Sequence, residues 1–147
     1  MGMFDAINIS SSALHAQRVR MDVIAQNIAN ANTTRTEDGT PYRRKIVVFE
    51  ERKQSFSDIL NEKLNAANTN TYGGVRVKAI IEDPSPFKRV YDPSHPDSDQ
   101  NGYVNYPNVD IVTEMVNMIE ASRAYEANIT AMNITKSMIT RTFEIGK

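Results

Sequence analysis

The side chains best suited to chemistry are the oxygen donors of one short segment, DSDQNGYV from Asp97 to Val104. Their order matches several positions of an EF-hand loop, including its glycine, and oxygen donors at such positions bind Ca²⁺. The twelfth loop position, however, is Asn108 where a bidentate glutamate is needed, and Pro93 and Pro96 prevent a helix before the segment. The segment is therefore interpreted as a polar turn, and no metal site is predicted.

Other groups that could support catalysis lack the partners that catalysis needs. The two imidazoles are not spaced as a ligand pair: His15 is interpreted as a partly buried or interface residue and His95 as a loop residue. Ser10–Ser12 have no base at a defined distance, and Gly73 and Gly74 are not followed by the Lys-Ser or Lys-Thr of a phosphate loop. Because cysteine is also absent, the sequence predicts no enzyme, no cofactor and no small-molecule substrate.

The charge balance excludes further classes of partner. With 17 basic and 18 acidic residues, no long-range field favours nucleic acid or an anionic membrane. The basic cluster Arg43–Lys45 could contact nucleic acid, but Glu50 and Glu51 offset it, and an edge strand or salt bridges between subunits are favoured. No apolar run reaches the ~18 residues of a membrane span, and the N-terminus lacks the apolar stretch of a cleaved secretory signal.

The first 34 residues predict one long amphipathic helix and its cap, with no Pro and no Gly after Gly2. Asn30, Asn32 and Thr33 end this helix, because their side chains bond nearby backbone groups and favour caps and turns. Apolar residues spaced mostly by seven define a first seam. This first seam consists of Ile7, Leu14, Met21, Ile24 and Ile28.

A second long helix is predicted over residues 109–147, where apolar residues alternate by three and four positions. A helix of about 35 residues is roughly 50 Å long, so it must project or pack along another long helix. Small polar or charged residues weaken its seam at Ser122 and Lys136. The predicted second seam consists of Ile111, Met115, Met118, Ser122, Tyr125, Ile129, Met132, Lys136, Ile139 and Phe143.

Residues 35–108 predict a small β-rich insert, with extended runs at Arg44–Phe49, Gly74–Ile81 and Phe87–Tyr91. Within it, residues 55–70 predict either a short helix or a mobile loop. The predicted fold is therefore mainly α. Its long terminal helices pair as a coaxial coiled-coil hairpin, and the β-rich insert lies between them in sequence.

Motifs near both ends of the chain carry a resemblance to a known family. The first is NIANANT from Asn27 to Thr33, and the second is EMVNMIEASRAYEAN from Glu114 to Asn128. A third, GYV followed by PNVD, lies at the junction of the insert with the second helix. The chain resembles the flagellar basal-body rod protein family, and within it the C-type proximal rod subunits. The family-motif residues are Asn27, Asn30, Asn32, Arg123, Tyr125 and Asn128.

This resemblance implies a structural role in the bacterial flagellum. Such subunits are exported by the flagellar type III export apparatus without a cleaved signal. They assemble with copies of themselves and with other rod proteins into a helical, torque-transmitting rod in the periplasmic space around the export channel. The resemblance also implies that Asn27, Asn30 and Asn32 satisfy backbone or inter-subunit hydrogen bonds.

Two rival interpretations remain open. One is a coiled-coil adaptor that binds a partner helix and does not polymerise. The other is a calcium-regulated protein that uses Asp97, Asp99 and Asn101.

Overall fold

Two long helices flank four short strands in the computed structural model, which describes residues 3–53, 60 and 73–145 of the chain. The elements in chain order are α1 (Met3–Ala29), β1 (Lys45–Glu51), β2 (Val75–Glu82), β3 (Lys88–Tyr91), β4 (Tyr103–Tyr106) and α2 (Ile111–Ile145). This order confirms the prediction of a mainly helical chain with a central β insert. The stretch 55–70, predicted as a short helix or a mobile loop, lies outside the described residues apart from Leu60.

Local hydrogen bonds explain where α1 ends and where α2 begins. At the end of α1 the backbone N–H and the side-chain amide of Asn30 both donate to the carbonyl of Gln26, at 3.1 and 2.9 Å. Asp110 caps α2, because its carboxylate accepts from the backbone N–H and the hydroxyl of Thr113. The Thr113 hydroxyl also holds the pKa of Asp110 below its ordinary value.

The strands form two separate two-stranded sheets. β1 pairs with β2, and backbone bonds from Asp83 to Arg44 (2.8 Å) and from Arg52 to Gly74 (2.9 Å) show that they run antiparallel. β3 pairs with β4 in antiparallel register, with Tyr91 opposite Tyr103. The sequence predicted the first three strands but interpreted the β4 region as the exit of a polar turn, so β4 corrects that interpretation.

The chain divides into two compact units, and each contains part of both helices. The first unit comprises Met1–Arg18, Phe49–Lys78 and Ser122–Lys147, and the second comprises Val19–Val48 and Ala79–Ala121. The three-part division at residues 34 and 108 follows the order along the chain and stays a prediction.

The described buried side chains lie mainly in the second unit. Its buried apolar residues are Val23, Ile24, Ala31, Val104 and Ala121, whereas Ala16 is the one such residue described in the first unit. In the predicted first seam, Ile24 is buried and the other members are half-buried.

The second seam differs more from its prediction. Met118, Tyr125, Met132 and Ile139 are half-buried, but Ile111, Met115 and Ile129 are exposed. The most buried positions of α2 are instead Glu114 and Ala121. The role of the seam residues as interface residues stays a prediction. His15 is exposed, so the expectation of partial burial is wrong for this residue and the interface alternative remains.

Candidate functional site

A buried asparagine lies at the end of α1 and joins three parts of the second unit. Asn27 is only 1% exposed. Its amide nitrogen donates to the Lys45 carbonyl and to Glu114 Oε2, both at 2.9 Å. Its oxygen accepts from the Lys45 N–H at 2.9 Å and from the Tyr42 hydroxyl at 3.0 Å. Every donor and acceptor position of the amide is thereby used, and the side chain fixes the start of β1 against α1.

A buried glutamate at the start of α2 completes this contact. Glu114 is also only 1% exposed. Besides Asn27, its carboxylate accepts from Arg44 Nε at 3.0 Å, from Arg44 Nη2 at 2.6 Å and from the Asn117 amide at 3.2 Å. A buried carboxylate is tolerated when a cation and further donors surround it. We call Asn27, Arg44 and Glu114 the polar cluster.

Arg44 extends the polar cluster toward the loop after β2. Its Nη1 donates to Asp83 Oδ2 at 3.2 Å. Burial works against the charged guanidinium, but hydrogen bonds from Arg44 to Glu114 and Asp83 keep the Arg44 pKa above its ordinary value. The Ser85 hydroxyl and N–H hold the pKa of Asp83 below its ordinary value, and Arg44 adds to this effect. Burial, and next the nearby Glu114 carboxylate, raise the pKa of Tyr42.

These contacts change the interpretation of the basic cluster Arg43–Lys45. Arg44 forms ion pairs with Asp83 and Glu114 of the same chain. Arg43 lies 4.5 Å over the Phe87 ring and donates to the Asp83 carbonyl at 3.0 Å. The sequence favoured an edge strand or salt bridges between subunits at this cluster, whereas Arg43 and Arg44 contact other residues of the second unit.

Asn108 shows why the calcium-loop resemblance fails at its last position. Its side-chain oxygen accepts from the Arg44 N–H at 2.8 Å, and its amide donates to the Asp83 carbonyl at 3.2 Å. The residue therefore holds the beginning of β1 to the end of β2.

The part of the Asp97–Val104 segment before β4, from Asp97 to Gly102, is a polar turn, as predicted. Asp99 Oδ1 accepts from the N–H groups of Asn101 (2.8 Å) and Tyr103 (2.9 Å), and Asp97 accepts from the Thr34 hydroxyl at 2.8 Å. The His95 ring accepts from the Asp97 N–H at 3.1 Å, which confirms its interpretation as a loop residue. Within residues 3–53 and 73–145, no group of three metal-ligating side chains is found.

The other family-motif residues are not gathered at the polar cluster. The side chains of Asn30 and Asn128 donate to backbone carbonyls one turn earlier, and Tyr125 is half-buried. Asn32 and Arg123 are exposed, and neither side chain has a hydrogen bond to any described residue. Of the predicted motif residues, Asn27 alone belongs to the polar cluster.

Sequence reasoning missed Glu114 and Arg44. Glu114 opens the second motif, but the seam pattern passes over it, since a seam is recognised by apolar residues. The one available signal was an acidic residue in the first turn of an otherwise apolar helix start. What the three side chains do together is structural, because they satisfy one another and leave no nucleophile beside a base.

A second surface feature lies on the opposite side of α2. Val112 and Val116 are two positions before and after Glu114, and two positions rotate a helix by about 200°. Both are exposed, as is Ile119, which continues the same face. We call Val112, Val116 and Ile119 the outward apolar face. Among the described residues, neither helix is long and apolar enough to cross a membrane.

Two sequence models of flagellar proteins match the chain, one at each end. The model described as "Flagella basal body rod protein" matches residues 7–35. The model described as "Flagellar basal body rod FlgEFG protein C-terminal" matches residues 100–145. The first range contains Asn27 and the second contains Glu114, so the contact between them links the two matched regions. Both models describe proteins of the flagellar basal-body rod.

Relatives that align over nearly their whole length indicate which kind of rod protein the chain resembles. A flagellar basal-body rod protein FlgC from Bacillus subtilis (strain 168) is 49% identical over 151 aligned residues, which cover 100% of both chains. The FlgC of Borreliella burgdorferi is 49% identical over 94% of this chain and 93% of its own. That of Salmonella typhimurium is 44% identical over 100% of both. The chain therefore belongs to the FlgC family of flagellar basal-body rod proteins, which confirms the predicted family and structural role.

Proposed function

We propose that the chain is a subunit of the proximal rod of the bacterial flagellum, where it polymerises helically with copies of itself and with other rod proteins. In this role it forms part of the torque-transmitting shaft around the export channel. The observation that carries the proposal is the outward apolar face of α2. A helix that stayed alone in water would not keep such a face exposed, and the names of its relatives indicate the assembly that covers it.

The terminal helices are proposed to pair as a coaxial coiled-coil hairpin. Two contacts within the second unit support this pairing. Asn27 of α1 bonds Glu114 of α2, and Arg20 lies 3.7 Å from Glu120. Residue numbers fall along α1 as they rise along α2, which is the order of an antiparallel pair. We extend this pairing to the two predicted seams as the surfaces that meet neighbouring helices.

Export and location follow from the same proposal. The chain is proposed to leave the cytoplasm through the flagellar type III export apparatus, without a cleaved signal peptide, and to occupy the periplasmic part of the basal body. Besides Pro107, six apolar side chains among the described residues are buried, and this small number supports a contribution of neighbouring subunits to stability. No catalytic activity is proposed, since the polar cluster has no reactive group free to act.

Complementation tests the proposal directly. The chain is expressed in a flagellated bacterium that lacks its own FlgC-family subunit, and motility and recovery in purified basal bodies are measured. Leu14→Asp and Ile129→Asp should each abolish both, because a charge in a helix seam opposes packing against a neighbour. Ile129→Leu is the matched control, since it keeps an apolar side chain and should retain motility. Normal motility of both aspartate variants would contradict the proposed interface.

The same experiment separates a rod subunit from a non-polymerising adaptor. A rod subunit is recovered with the basal body after the membranes are dissolved. An adaptor remains in the soluble fraction, even when cells are motile. Recovery of the wild-type chain in the soluble fraction alone would therefore favour the adaptor.

A further inference from the structure

Both helices carry an exposed face directly opposite the polar cluster. On α2 this is the outward apolar face, where Val112 is 69% exposed and Ile119 is 54% exposed. On α1, Ala25 and Ala29 are two positions before and after Asn27 and are likewise exposed. One helix thus presents large apolar side chains on this side, and the other presents methyl groups that leave room for them.

Each face also carries a charged side chain that has no partner among the described residues. Asp22 on α1 and Arg123 on α2 are exposed, and neither forms an ion pair or hydrogen bond through its side chain with any described residue. Nearby charges behave differently, since Arg20 lies 3.7 Å from Glu120. One turn further along, Arg18 on α1 and Glu126 on α2 are also exposed charges. Neither has a side-chain partner among the described residues.

We propose that the exposed face of α1 in one copy docks antiparallel on the outward apolar face of α2 in a second copy, with Asp22 paired to Arg123. This inference rests on the proposed function and specifies which surfaces meet. The occupant is a second copy because the complementary charges and shapes are both present on this chain. Charge pairs at an interface fix register and partner choice more than they add affinity.

Spacing along the helices selects the antiparallel direction. Asp22 to Ala29 and Arg123 to Val116 each span seven residues, about 10 Å or two turns. When Asp22 faces Arg123, an antiparallel arrangement therefore places Ala29 against Val116 and brings Arg18 near Glu126. A parallel arrangement would instead place Ile119 opposite Arg18, which would bury an apolar side chain against a charge.

The proposed contact joins two different faces, so it can repeat and form a helical assembly. The two faces differ, so each copy uses one face toward one neighbour and the other face toward another. Such head-to-tail contacts produce an open helical array when the rotation does not close a ring. The proposed contact therefore repeats from subunit to subunit.

Charge reversal tests the pair in living cells. Asp22→Arg and Arg123→Asp should each reduce recovery in basal bodies at least about tenfold, because each places like charges together. The combined Asp22→Arg and Arg123→Asp variant should recover most of the loss. If the combined variant is no better than either single variant, or if the single variants have no effect, the pair is wrong.

Cross-linking tests whether the partner is a second copy, and the absence of native cysteine makes this simple. Full-length Asp22→Cys and Arg123→Cys chains carrying different tags are mixed at high concentration and oxidised, and disulfide-linked heterodimers are measured. Ser11→Cys mixed with Arg123→Cys is the matched control. Ser11 lies on the same face of α1 but about 16 Å from position 22, beyond the reach of a disulfide.

The outcomes distinguish this inference from the proposed function. Heterodimers from the test pair, with at least about tenfold fewer from the control pair, support the docking. Equal cross-linking in both pairs, or none in a chain that still enters basal bodies, overturns it and indicates another rod protein as the partner. A wild-type chain that never enters basal bodies overturns both proposals.

Discussion

The second unit contains its own buried core, whereas the described part of the first unit contains very little. In the second unit, buried apolar residues such as Val23 and Val104 surround the buried Asn27 and Glu114. In the first unit, Ala16 is the single described buried apolar side chain, while Ile134, Met138 and Phe143 are more than half exposed. The described residues therefore place most of the buried side chains in the second unit.

The nature of the polar cluster adds to this contrast. A buried ion pair contributes little net stability compared with apolar packing, but removal of one partner is costly because the other stays buried and unpaired. The polar cluster thus penalises any other arrangement of α1, β1 and α2. No comparable polar cluster is found among the described residues of the first unit.

The largest predicted effect comes from removing the buried carboxylate. Glu114→Ala should lower the free energy of unfolding by roughly 3–5 kcal/mol, since Arg44 and Asn27 lose their common partner inside the second unit. Urea unfolding followed by circular dichroism measures this loss. Glu120→Ala is the control: Glu120 also has an arginine partner but is 63% exposed, so its loss should cost under about 1 kcal/mol.

A somewhat smaller effect is expected at the asparagine. Asn27→Ala should cost roughly 2–4 kcal/mol, because the backbone groups of Lys45 lose their partners in a buried position. Asn32→Ala, in the same sequence motif, removes an exposed side chain and should change stability by less than about 0.5 kcal/mol. Equal losses for both variants in urea unfolding would mean that the motif does not act through the polar cluster.

A glycine substitution in the first unit tests how tightly the chain is packed there. Gly74 has a φ of 73°, and an added Cβ would collide with the Ser12 side chain. Gly39 has nearly the same φ, 74°, with nothing near its missing Cβ. Gly39→Ala should therefore cost about 1 kcal/mol from the backbone alone, and Gly74→Ala should cost more. A similar shift of the urea midpoint in both variants would show that the Ser12 side chain can move away from the added Cβ at little cost.

The smallest predicted effect is on how the stability of the fold depends on acidic pH. The Ser85 hydroxyl keeps the pKa of Asp83 low in the folded chain. The resulting stabilisation is complete above the unfolded pKa near ~3.9 and disappears as the pH falls through the lower folded value. Ser85→Ala should raise the folded pKa, so stability should fall less steeply below pH ~4.

Urea midpoints measured over that pH range test this expectation. Ser98→Ala is a suitable control, because the Ser98 hydroxyl makes no hydrogen bond with the described residues. An unchanged pH profile in Ser85→Ala would assign the low Asp83 pKa to the backbone N–H of residue 85 and to Arg44 instead.

Patterns within short segments were enough to predict most of the secondary structure and the family. The spacing of Ile7, Leu14 and Met21, with no Pro or Gly nearby, was enough to predict α1, and alternation from Val75 to Ala79 was enough to predict β2. The motif around Asn27 identified the family and singled out one residue of the polar cluster. These signals are local, since helix and strand periodicities arise from neighbouring residues.

Only the tertiary structure decided which side chains meet. Asn27 and Glu114 are 87 positions apart, and Arg44 and Glu114 are 70 apart, so no periodicity connects them. The face that α2 buries was decided in the same way, because Glu114 is buried where Asn27 and Arg44 bind its carboxylate. A polar residue can occupy a core when distant groups satisfy it, and those groups become neighbours only when the chain has folded.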